Sequence, residues 1–301
     1  MERSVRSKLV EYILFMRGTK QRYTDKLKFE KFLEQKRTEN AKPYLLPIKI
    51  QKKLNIEKED SYGKDVYTLQ GNRKSGDPTI LYLHGGGYVN QPLAAHWKFI
   101  RRIADQSHAK MIVPVYPKVP HHCYRESFDQ VFPLYEKLLL ETSPQNMILM
   151  GDSAGGGFAL ALAQLIKEKG LPQPSQIILF SPWLDLTLTN PDIQKFEKKD
   201  AVLGSYGLAI IGKLYAGTTD PNYYLLSPIN GSLQDLGEIS LFIGTHELLL
   251  ADARKFRDRT KEEGVKINYY EYPKMNHVFP ALPIPEAKKA FKQIIDLISS
   301  R

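Results

Sequence analysis

The residue best placed to act as a nucleophile is Ser153, within the run Gly-Asp-Ser-Ala-Gly at positions 151–155. An apolar stretch, residues 147–150, precedes this run, and a helical stretch of small residues follows it. A serine at such a strand-to-helix junction lies on a tight turn that exposes its hydroxyl, and the flanking glycines let the two elements approach closely. The sequence therefore indicates acyl transfer through a serine nucleophile.

A second motif, His-Gly-Gly-Gly at positions 84–87, follows another apolar stretch at 79–83. Attack on a carbonyl creates an oxyanion, which needs backbone N–H donors already directed at it. Consecutive glycines can present their amides without side-chain obstruction, so we expect Gly85 and Gly86 to form an oxyanion hole with Ala154, which belongs to the tight turn at Ser153, here called the elbow. The competing interpretation, a merely flexible loop, is disfavoured by the position directly after a buried strand. We expect His84 to hold this loop and not to transfer protons.

A serine hydroxyl needs a base to accept its proton, and the base needs a carboxylate to orient it. His277 is the one histidine that follows the last predicted strand, residues 267–272, and is our candidate base. We expect the other histidines outside the glycine motif to be solvated or hydrogen-bonded in structural roles: His96, His108, His121, His122 and His246.

Two carboxylates compete for the role of the acid, because both Glu247 and Asp252 follow the apolar stretch at 240–243. Glu247 lies nearer to the end of that stretch, whereas Asp252 is expected inside the following helix, so we prefer Glu247. The alternative role of Glu247 is an acidic residue at a helix N-terminus, stabilised by the helix dipole.

Short apolar stretches separated by helical ones are typical of a mostly parallel sheet covered by helices on both faces. A weaker pair of edge strands is expected within 48–69, followed by a polar turn at 71–78. The long interval from Pro182 to Ser240 has the size of a lid, and a last helix is expected at 284–300. The main strands are expected at residues 79–83, 111–115, 147–150, 177–180, 240–243 and 267–272.

Two amphipathic helices are expected within the first forty residues, because apolar residues recur there at helical spacing. We expect both apolar stripes to be buried against the rest of the molecule. The first stripe consists of Val5, Leu9, Ile13 and Met16, and the second of Leu27, Phe29, Phe32 and Leu33.

The composition fits one large globular domain, since the 301 residues are 42% hydrophobic and 25% charged. The formal net charge is +10, and residues 1–60 hold 16 Lys and Arg against 9 Asp and Glu. No aromatic-interleaved basic motif and no zinc-ligand spacing accompanies these charges. A solvated helical face is therefore favoured over a nucleic-acid-binding or membrane-surface protein.

The single cysteine, Cys123, excludes an intramolecular disulfide and fits a reducing compartment. An apolar cluster near the N-terminus is too short to span a bilayer, and no small-residue cleavage site follows it. We therefore expect a cytoplasmic protein.

Together these motifs resemble the hormone-sensitive-lipase family of α/β-hydrolase esterases over roughly residues 75–300. The order Ser153, Glu247, His277 is the nucleophile, acid, base order of α/β hydrolases. Glu247 stands in the family's usual aspartate position, thirty residues before His277, so the resemblance supports it over Asp252. The matching segments are His84 to Tyr88 (H-G-G-G-aromatic), Gly151 to Gly156 (G-D-S-A-G-G) and Ser181 to Asp185.

One loop departs from the family pattern. Residues 115–121 resemble a family loop that carries Arg after its Tyr and Glu after its second Pro, but Pro117 and His121 stand at those positions here. That glutamate usually supports the glycine loop. We therefore expect the support of the oxyanion hole to be arranged differently in this chain.

The resemblance implies an α/β-hydrolase fold over a single domain, 1–301, with a mostly parallel central sheet. It also implies a helical cap contributed by about 1–45 and about 186–225. We predict a serine carboxylesterase that hydrolyses short-chain acyl esters through an acyl-enzyme intermediate, with no cofactor and no metal. Candidate substrate-lining residues are Tyr88, Trp183, Tyr206 and Phe279.

The expected partner is a small-molecule ester, without nucleic acid or integral membrane association, and a homodimer is compatible with the sequence. Two alternatives remain open. One is an amidase, deacetylase or lactonase that uses the same three residues. The other is a non-catalytic small-molecule receptor on this fold.

Overall fold

An eight-stranded sheet forms the centre of the computed structural model, which describes residues 3–59, 65–71 and 76–300. Strand β2 is antiparallel to both β1 and β4, and the pairs from β4 through β8 are parallel. In spatial order the strands are β1 (Glu57–Lys58), β2 (Val66–Gln70), β4 (Lys110–Pro114), β3 (Thr79–Leu83), β5 (Met147–Asp152), β6 (Gln176–Phe180), β7 (Glu238–His246) and β8 (Ile267–Asn276).

The predicted α/β-hydrolase fold is confirmed, and the six main strands start within two residues of their predicted positions. Their continuous apolar sequence reflects burial on both faces of the sheet. Helices α6 (Tyr124–Glu141), α7 (Ala154–Glu168) and α10 (Leu250–Glu262) pack on one face. Helices α5 (Ala94–Ser107) and α11 (Pro285–Ser299) pack on the other. Because these strands are parallel, the carboxyl ends of β3, β5, β7 and β8 lie at one edge of the sheet.

The predicted pair of edge strands within 48–69 is only partly correct. Helix α4 (Ile48–Leu54) occupies the first part of this segment, and β1 and β2 follow. Ile50 and Leu54 lie four residues apart and pack together against the core, whereas Ile48 is exposed. The apolar spacing therefore has the helical period and not the alternation of a strand. Residues 60–64 and 72–75, in the predicted strand pair and polar turn, lie outside the described residues.

Residues 3–40 contain three helices: α1 (Val5–Met16), α2 (Gln21–Thr24) and α3 (Lys26–Asn40). Phe29 and Phe32 of the second predicted stripe are buried, as expected, but Leu27 of the same stripe is 70% exposed. The first stripe forms as predicted, but its expected burial is wrong, because its residues face solvent. The opposite face of α1, which is mostly polar but includes Val10, makes the contacts with the rest of the protein.

The long interval after β6 contains two further helices, α8 (Ile193–Glu197) and α9 (Ser205–Ala216). Helix α9 packs against α2 and α3, and Gly207 lets Phe29 approach its backbone closely. Helices α2 and α3 and the insertion therefore form one layer over the edge of the sheet. No helix within the described residues has the length and apolar character needed to cross a bilayer.

Candidate active site

Ser153 stands at the sharp turn between β5 and α7, with a φ of 54° that side-chain-bearing residues rarely adopt. Its N–H donates to the carbonyl of Phe180, 2.8 Å away on the neighbouring strand, which fixes the turn against the sheet. A Cβ at Gly151 would collide with the carbonyl oxygen of Gly155, so the elbow requires glycine there. This strained turn exposes the hydroxyl of the serine at the end of the strand.

A continuous chain of hydrogen bonds joins the three predicted side chains. The Oγ of Ser153 lies 2.9 Å from Nε2 of His277, and Nδ1 of His277 lies 2.7 Å from Oε2 of Glu247. Both distances fit a hydroxyl that loses its proton to an imidazole held by a carboxylate.

The carboxylate of Glu247 is fully buried, and its second oxygen is also satisfied. Oε1 accepts from the hydroxyl of Ser181 at 2.7 Å and from the N–H of Gly244 at 2.9 Å. The hydroxyl of Ser181 in turn accepts from the N–H of Val278 at 3.0 Å, next to His277. Asp252, the competing candidate, accepts a hydrogen bond from Asn190 and makes none with His277.

The environment of His277 favours its protonated form. Burial alone would lower the pKa of its imidazole, but the charge and hydrogen bond of Glu247 outweigh this, so the pKa is raised above 6.5. Asp200 and Asp152 add to the effect through their charges. A base tuned in this way holds the serine proton more firmly.

The glycine loop differs from the prediction in one respect. The N–H of Gly85 donates to Oδ1 of Asp152 at 3.0 Å, so the prediction that it serves the oxyanion hole is wrong. Gly86 and Gly87, both at positive φ, line the cavity that contains Ser153. Within the described part of the chain, the N–H groups of Gly86, Gly87 and Ala154 have no protein acceptor.

A cavity of about 420 Å³ opens above Ser153 and His277. Its walls come from the glycine loop, from α2 and α3, and from the segment before and within α9. Apolar side chains dominate the part away from the serine: Tyr23, Phe32, Val202, Leu203 and Leu208. Such a small, mostly apolar site suits a short acyl group.

The four aromatic residues predicted to contact substrate do not lie on this wall. Tyr88, Trp183 and Phe279 are buried in the core, where large aromatic side chains remove the most apolar surface from water. Tyr88 stacks on Tyr215 with 3.8 Å between ring centroids. Tyr206 is partly exposed and packs edge-on against Phe29.

Comparison with known proteins matches residues 80–281 to the α/β-hydrolase fold family. The chain is 32% identical over 230 residues to an esterase of Acinetobacter venetianus, covering 75% of this chain and 76% of that protein. It is 29% identical over 219 residues to an acetyl-hydrolase of Streptomyces hygroscopicus, covering 71% and 73%. A crystal structure of a hormone-sensitive lipase from a metagenome library superposes with a TM-score of 0.76 at 27% identity, covering 90% of this chain and 97% of that one.

The chain belongs to the hormone-sensitive-lipase family of α/β-hydrolase esterases. It is accordingly an ester hydrolase, and the alternative of a non-catalytic receptor is set aside.

In the loop that departs from the hormone-sensitive-lipase family pattern, residues 115–121, His121 does not support the glycine loop, and other residues do. His121 lies at the surface, where its Nε2 is 2.7 Å from the carbonyl oxygen of Arg37, and it makes no contact with the glycine loop. The hydroxyl of Tyr116 instead donates to the carbonyl of His84, and the two rings stack. Asn40, the last residue of α3, donates at 2.8 Å to the carbonyls of both Val89 and Val119.

Sequence reasoning missed two features of this hormone-sensitive-lipase family site, Asp200 and the position of His96. Asp200 is fully buried and accepts from the N–H groups of Val202, Leu203 and Leu248, at 2.7, 2.8 and 2.9 Å. It therefore ties the cavity wall to the residue after Glu247. Its position in an irregular segment gives no periodic signal, and only the residue types Asp200 and Gly204 are typical of a turn.

His96 is hydrogen-bonded in a structural role, as expected, with Nε2 3.3 Å from Oδ2 of Asp152, but its position on the cavity wall was not predicted. Tyr82 also donates to Asp152, at 2.7 Å. Burial alone would raise the pKa of Asp152, but His96, Tyr82 and the N–H of Gly85 together keep it lowered. Within the described residues no three His, Cys, Asp or Glu side chains are grouped to hold a metal ion.

Proposed function

We propose that this protein is a serine carboxylesterase in which Ser153 is the nucleophile, His277 the general base and Glu247 the acid that orients it. The hydrogen-bond chain from Ser153 through His277 to Glu247 is the observation that carries this proposal. A serine hydroxyl is a weak nucleophile unless a positioned base accepts its proton, and this geometry supplies that base.

The reaction follows from the positions of these groups. The Oγ of Ser153 attacks the ester carbonyl while Nε2 of His277 takes the hydroxyl proton, and the imidazolium is stabilised by Glu247. When the tetrahedral intermediate collapses, the C–O bond to the alcohol breaks and His277 protonates the leaving oxygen. Water then attacks the acyl-enzyme with His277 again acting as base, and the carboxylic acid leaves as Ser153 regains its proton.

The negative oxygen of both tetrahedral intermediates is assigned to the N–H groups of Gly86, Gly87 and Ala154. They flank Ser153 on the cavity wall or at the elbow, and no protein acceptor among the described residues competes for them. Losing one such donor costs about 3 kcal/mol of transition-state stabilisation. Gly85 acts indirectly, because its bond to Asp152 anchors the start of the loop.

The proposed substrates are esters of short acyl groups, about two to six carbons long. The limited, mostly apolar cavity supports this range, as does the similarity to a protein named acetyl-hydrolase. We assign the role of a cap to α2, α3 and residues 200–208, whose side chains enclose the cavity. No residue of α1 lies on its wall.

A chain-length series of p-nitrophenyl esters tests the proposal, with Ser153→Ala as the control for background hydrolysis. We expect the highest kcat/KM on acetate to hexanoate esters and none above background for the variant. An optimum on palmitate would contradict the short-chain assignment. A matched set of amide and lactone substrates separates an esterase from an amidase, deacetylase or lactonase with the same three residues.

A further inference from the structure

Helix α1 turns its apolar side chains toward solvent. Val5, Leu9, Tyr12 and Met16 are 80, 55, 61 and 69% exposed, and Ile13 lies on the same stripe and is exposed as well. At 100° per residue these five positions fall within one narrow sector of the helix. Scattered exposed apolar residues are ordinary, but a contiguous stripe along three turns marks an interaction surface.

The opposite face of α1, which carries Ser7, Glu11 and the partly buried Val10, attaches the helix to the protein. The backbone N–H and the hydroxyl of Ser4, at the helix N-cap, donate to the carboxylate of Glu286 at 2.7 and 2.9 Å. Ser7 is the one fully buried residue of the helix, and Glu11 contacts His246 at 2.7 Å. These polar contacts, together with the packing of Val10 on the core, hold α1 in an orientation that leaves its apolar stripe uncovered.

Basic side chains border this stripe on both sides. Lys8 lies along one border, and Arg6 and Arg17 lie along the other, and all three are exposed. The single acidic residue of α1, Glu11, faces inward and is paired with Arg3 as well as His246. The outward surface of α1 therefore combines an apolar centre with positively charged edges.

We propose that α1 docks this protein on the surface of an anionic lipid bilayer, with its stripe among the acyl chains and its basic borders against the headgroup phosphates. Apolar burial combined with attraction between Lys or Arg and anionic lipid is what holds an amphipathic helix at such an interface. A second copy of the chain fits this surface less well, because pairing two α1 helices would bring their basic borders together without an acidic partner.

Docking through α1 also bears on the catalytic cavity, because the chain that follows this helix reaches the cavity wall. Thr19, three residues beyond the end of the helix, lies on the cavity wall, and the exposed Leu93 lies on the same wall. A lipid-bound α1 thus places the cavity mouth next to the bilayer surface, where esters dissolved in the membrane are concentrated. Lipid binding itself requires none of the residues assigned to catalysis.

Vesicle flotation tests the proposal without any enzymatic readout. The full chain is mixed with vesicles of phosphatidylcholine alone or of phosphatidylcholine with phosphatidylglycerol. We expect flotation with the anionic vesicles only, weakened at high salt. The combined variant Leu9→Gln, Tyr12→Gln, Met16→Gln and the combined variant Arg6→Gln, Lys8→Gln, Arg17→Gln should each reduce the bound fraction at least tenfold.

Matched controls replace exposed residues of the same types elsewhere. Leu140→Gln, and the combined variant Lys255→Gln, Lys261→Gln, Lys266→Gln, should bind vesicles as the unchanged protein does. All variants should keep their circular dichroism and their hydrolysis of soluble p-nitrophenyl butyrate, which separates loss of docking from loss of folding or catalysis. Absence of flotation with anionic vesicles, or flotation unaffected by the α1 changes, would overturn the proposal. So would a dimer in sedimentation velocity that the Leu9, Tyr12 and Met16 changes dissociate.

Discussion

Glu247 and Asp252 are both buried carboxylates, five residues apart, yet their surroundings differ. Oε2 of Glu247 lies 2.7 Å from Nδ1 of His277. Asp252 accepts a hydrogen bond from Asn190 instead, and burial raises its pKa to about 6. Only the group bonded to the imidazole can fix its tautomer and stabilise the imidazolium. The two carboxylates therefore make a matched pair for substitution.

We expect Glu247→Gln to lower kcat by about a thousandfold or more, and Asp252→Asn to leave it within a few-fold of the unchanged enzyme. Both substitutions keep the shape of the side chain. Steady-state hydrolysis of p-nitrophenyl butyrate, with circular dichroism as a check on folding, measures the difference. Equal losses, or a larger loss at Asp252, would show that the acid has been misassigned.

The pH dependence of the reaction should report on His277. Its pKa is raised above 6.5, and only the neutral imidazole can accept the serine proton, so activity falls as pH drops through this pKa. We therefore expect the acid limb of the kcat/KM profile to have its midpoint above pH 6.5. In Glu247→Gln the residual activity should show a midpoint at lower pH, since the neighbouring charge is gone. An acid limb that does not move in this variant would contradict the pairing.

The three residues of the hydrogen-bond chain could be predicted from sequence, because each follows an apolar strand at a characteristic position. The role of Gly85 could not. Its N–H is taken by the side chain of Asp152, 67 positions away, and such a contact leaves no trace in local spacing. The same holds for the exposure of Tyr206 and the burial of Trp183, which depend on packing partners.

The hydrogen bonds of Asp200 attach the insertion to the edge of the sheet at which the catalytic residues lie. Replacing Asp200 by Ala removes the acceptor of three backbone N–H groups in a buried site, so we expect a loss of about 2 kcal/mol or more in the free energy of unfolding. Because Val202 and Leu203 line the cavity, KM should rise as well. Denaturant unfolding and steady-state kinetics measure both effects, and Asp258→Ala at the surface is the control. Unchanged stability and unchanged KM would show that Asp200 does not attach the insertion to the sheet in this way.

Helix α3 sets the far wall of the cavity through Phe32, while its neighbour Phe29 is buried away from that wall. Phe32→Ala and Phe29→Ala should both reduce stability, by about 3–5 kcal/mol each. Only Phe32→Ala should shift the preference toward longer acyl chains, by several-fold in the ratio of octanoate to butyrate kcat/KM. The ester series measures this ratio. The same shift in both variants would mean that loosened packing, and not the cavity wall, sets the chain length.

At the level of elements, buried strands were the most predictable feature, because their apolar runs are continuous and bounded by turns. Prediction failed where apolar residues are not buried in the expected way. Ile48 is exposed on α4, so its spacing from Ile50 resembled the alternation of a strand. The apolar stripe of α1 faces outward because the other face of the helix, with Ser7, Val10 and Glu11, makes the attachments. Periodicity identifies a helical face but does not say which side of the helix the protein covers.

At the scale of the whole molecule, the parallel sheet brings together residues that are far apart in the chain. Ser153 and His277 are 124 positions apart yet within hydrogen-bond distance, because β5 and β8 end at the same edge. The net charge of +10 is also unevenly distributed at this scale, since residues 1–60, with 16 Lys and Arg against 9 Asp and Glu, carry +7 of it. A strong salt dependence of vesicle binding, with no salt dependence of butyrate hydrolysis, is expected from this separation of roles.

Covalent labelling of Ser153 by a fluorophosphonate tests the central claim most directly, since only a hydroxyl activated by His277 reacts quickly with such a reagent. Intact-mass measurement should show one adduct, and peptide mapping should place it on the segment that contains Ser153. The label should be absent from Ser153→Ala, from His277→Ala and from heat-denatured protein. A folded, unlabelled wild type, or an adduct at another residue, would contradict the account.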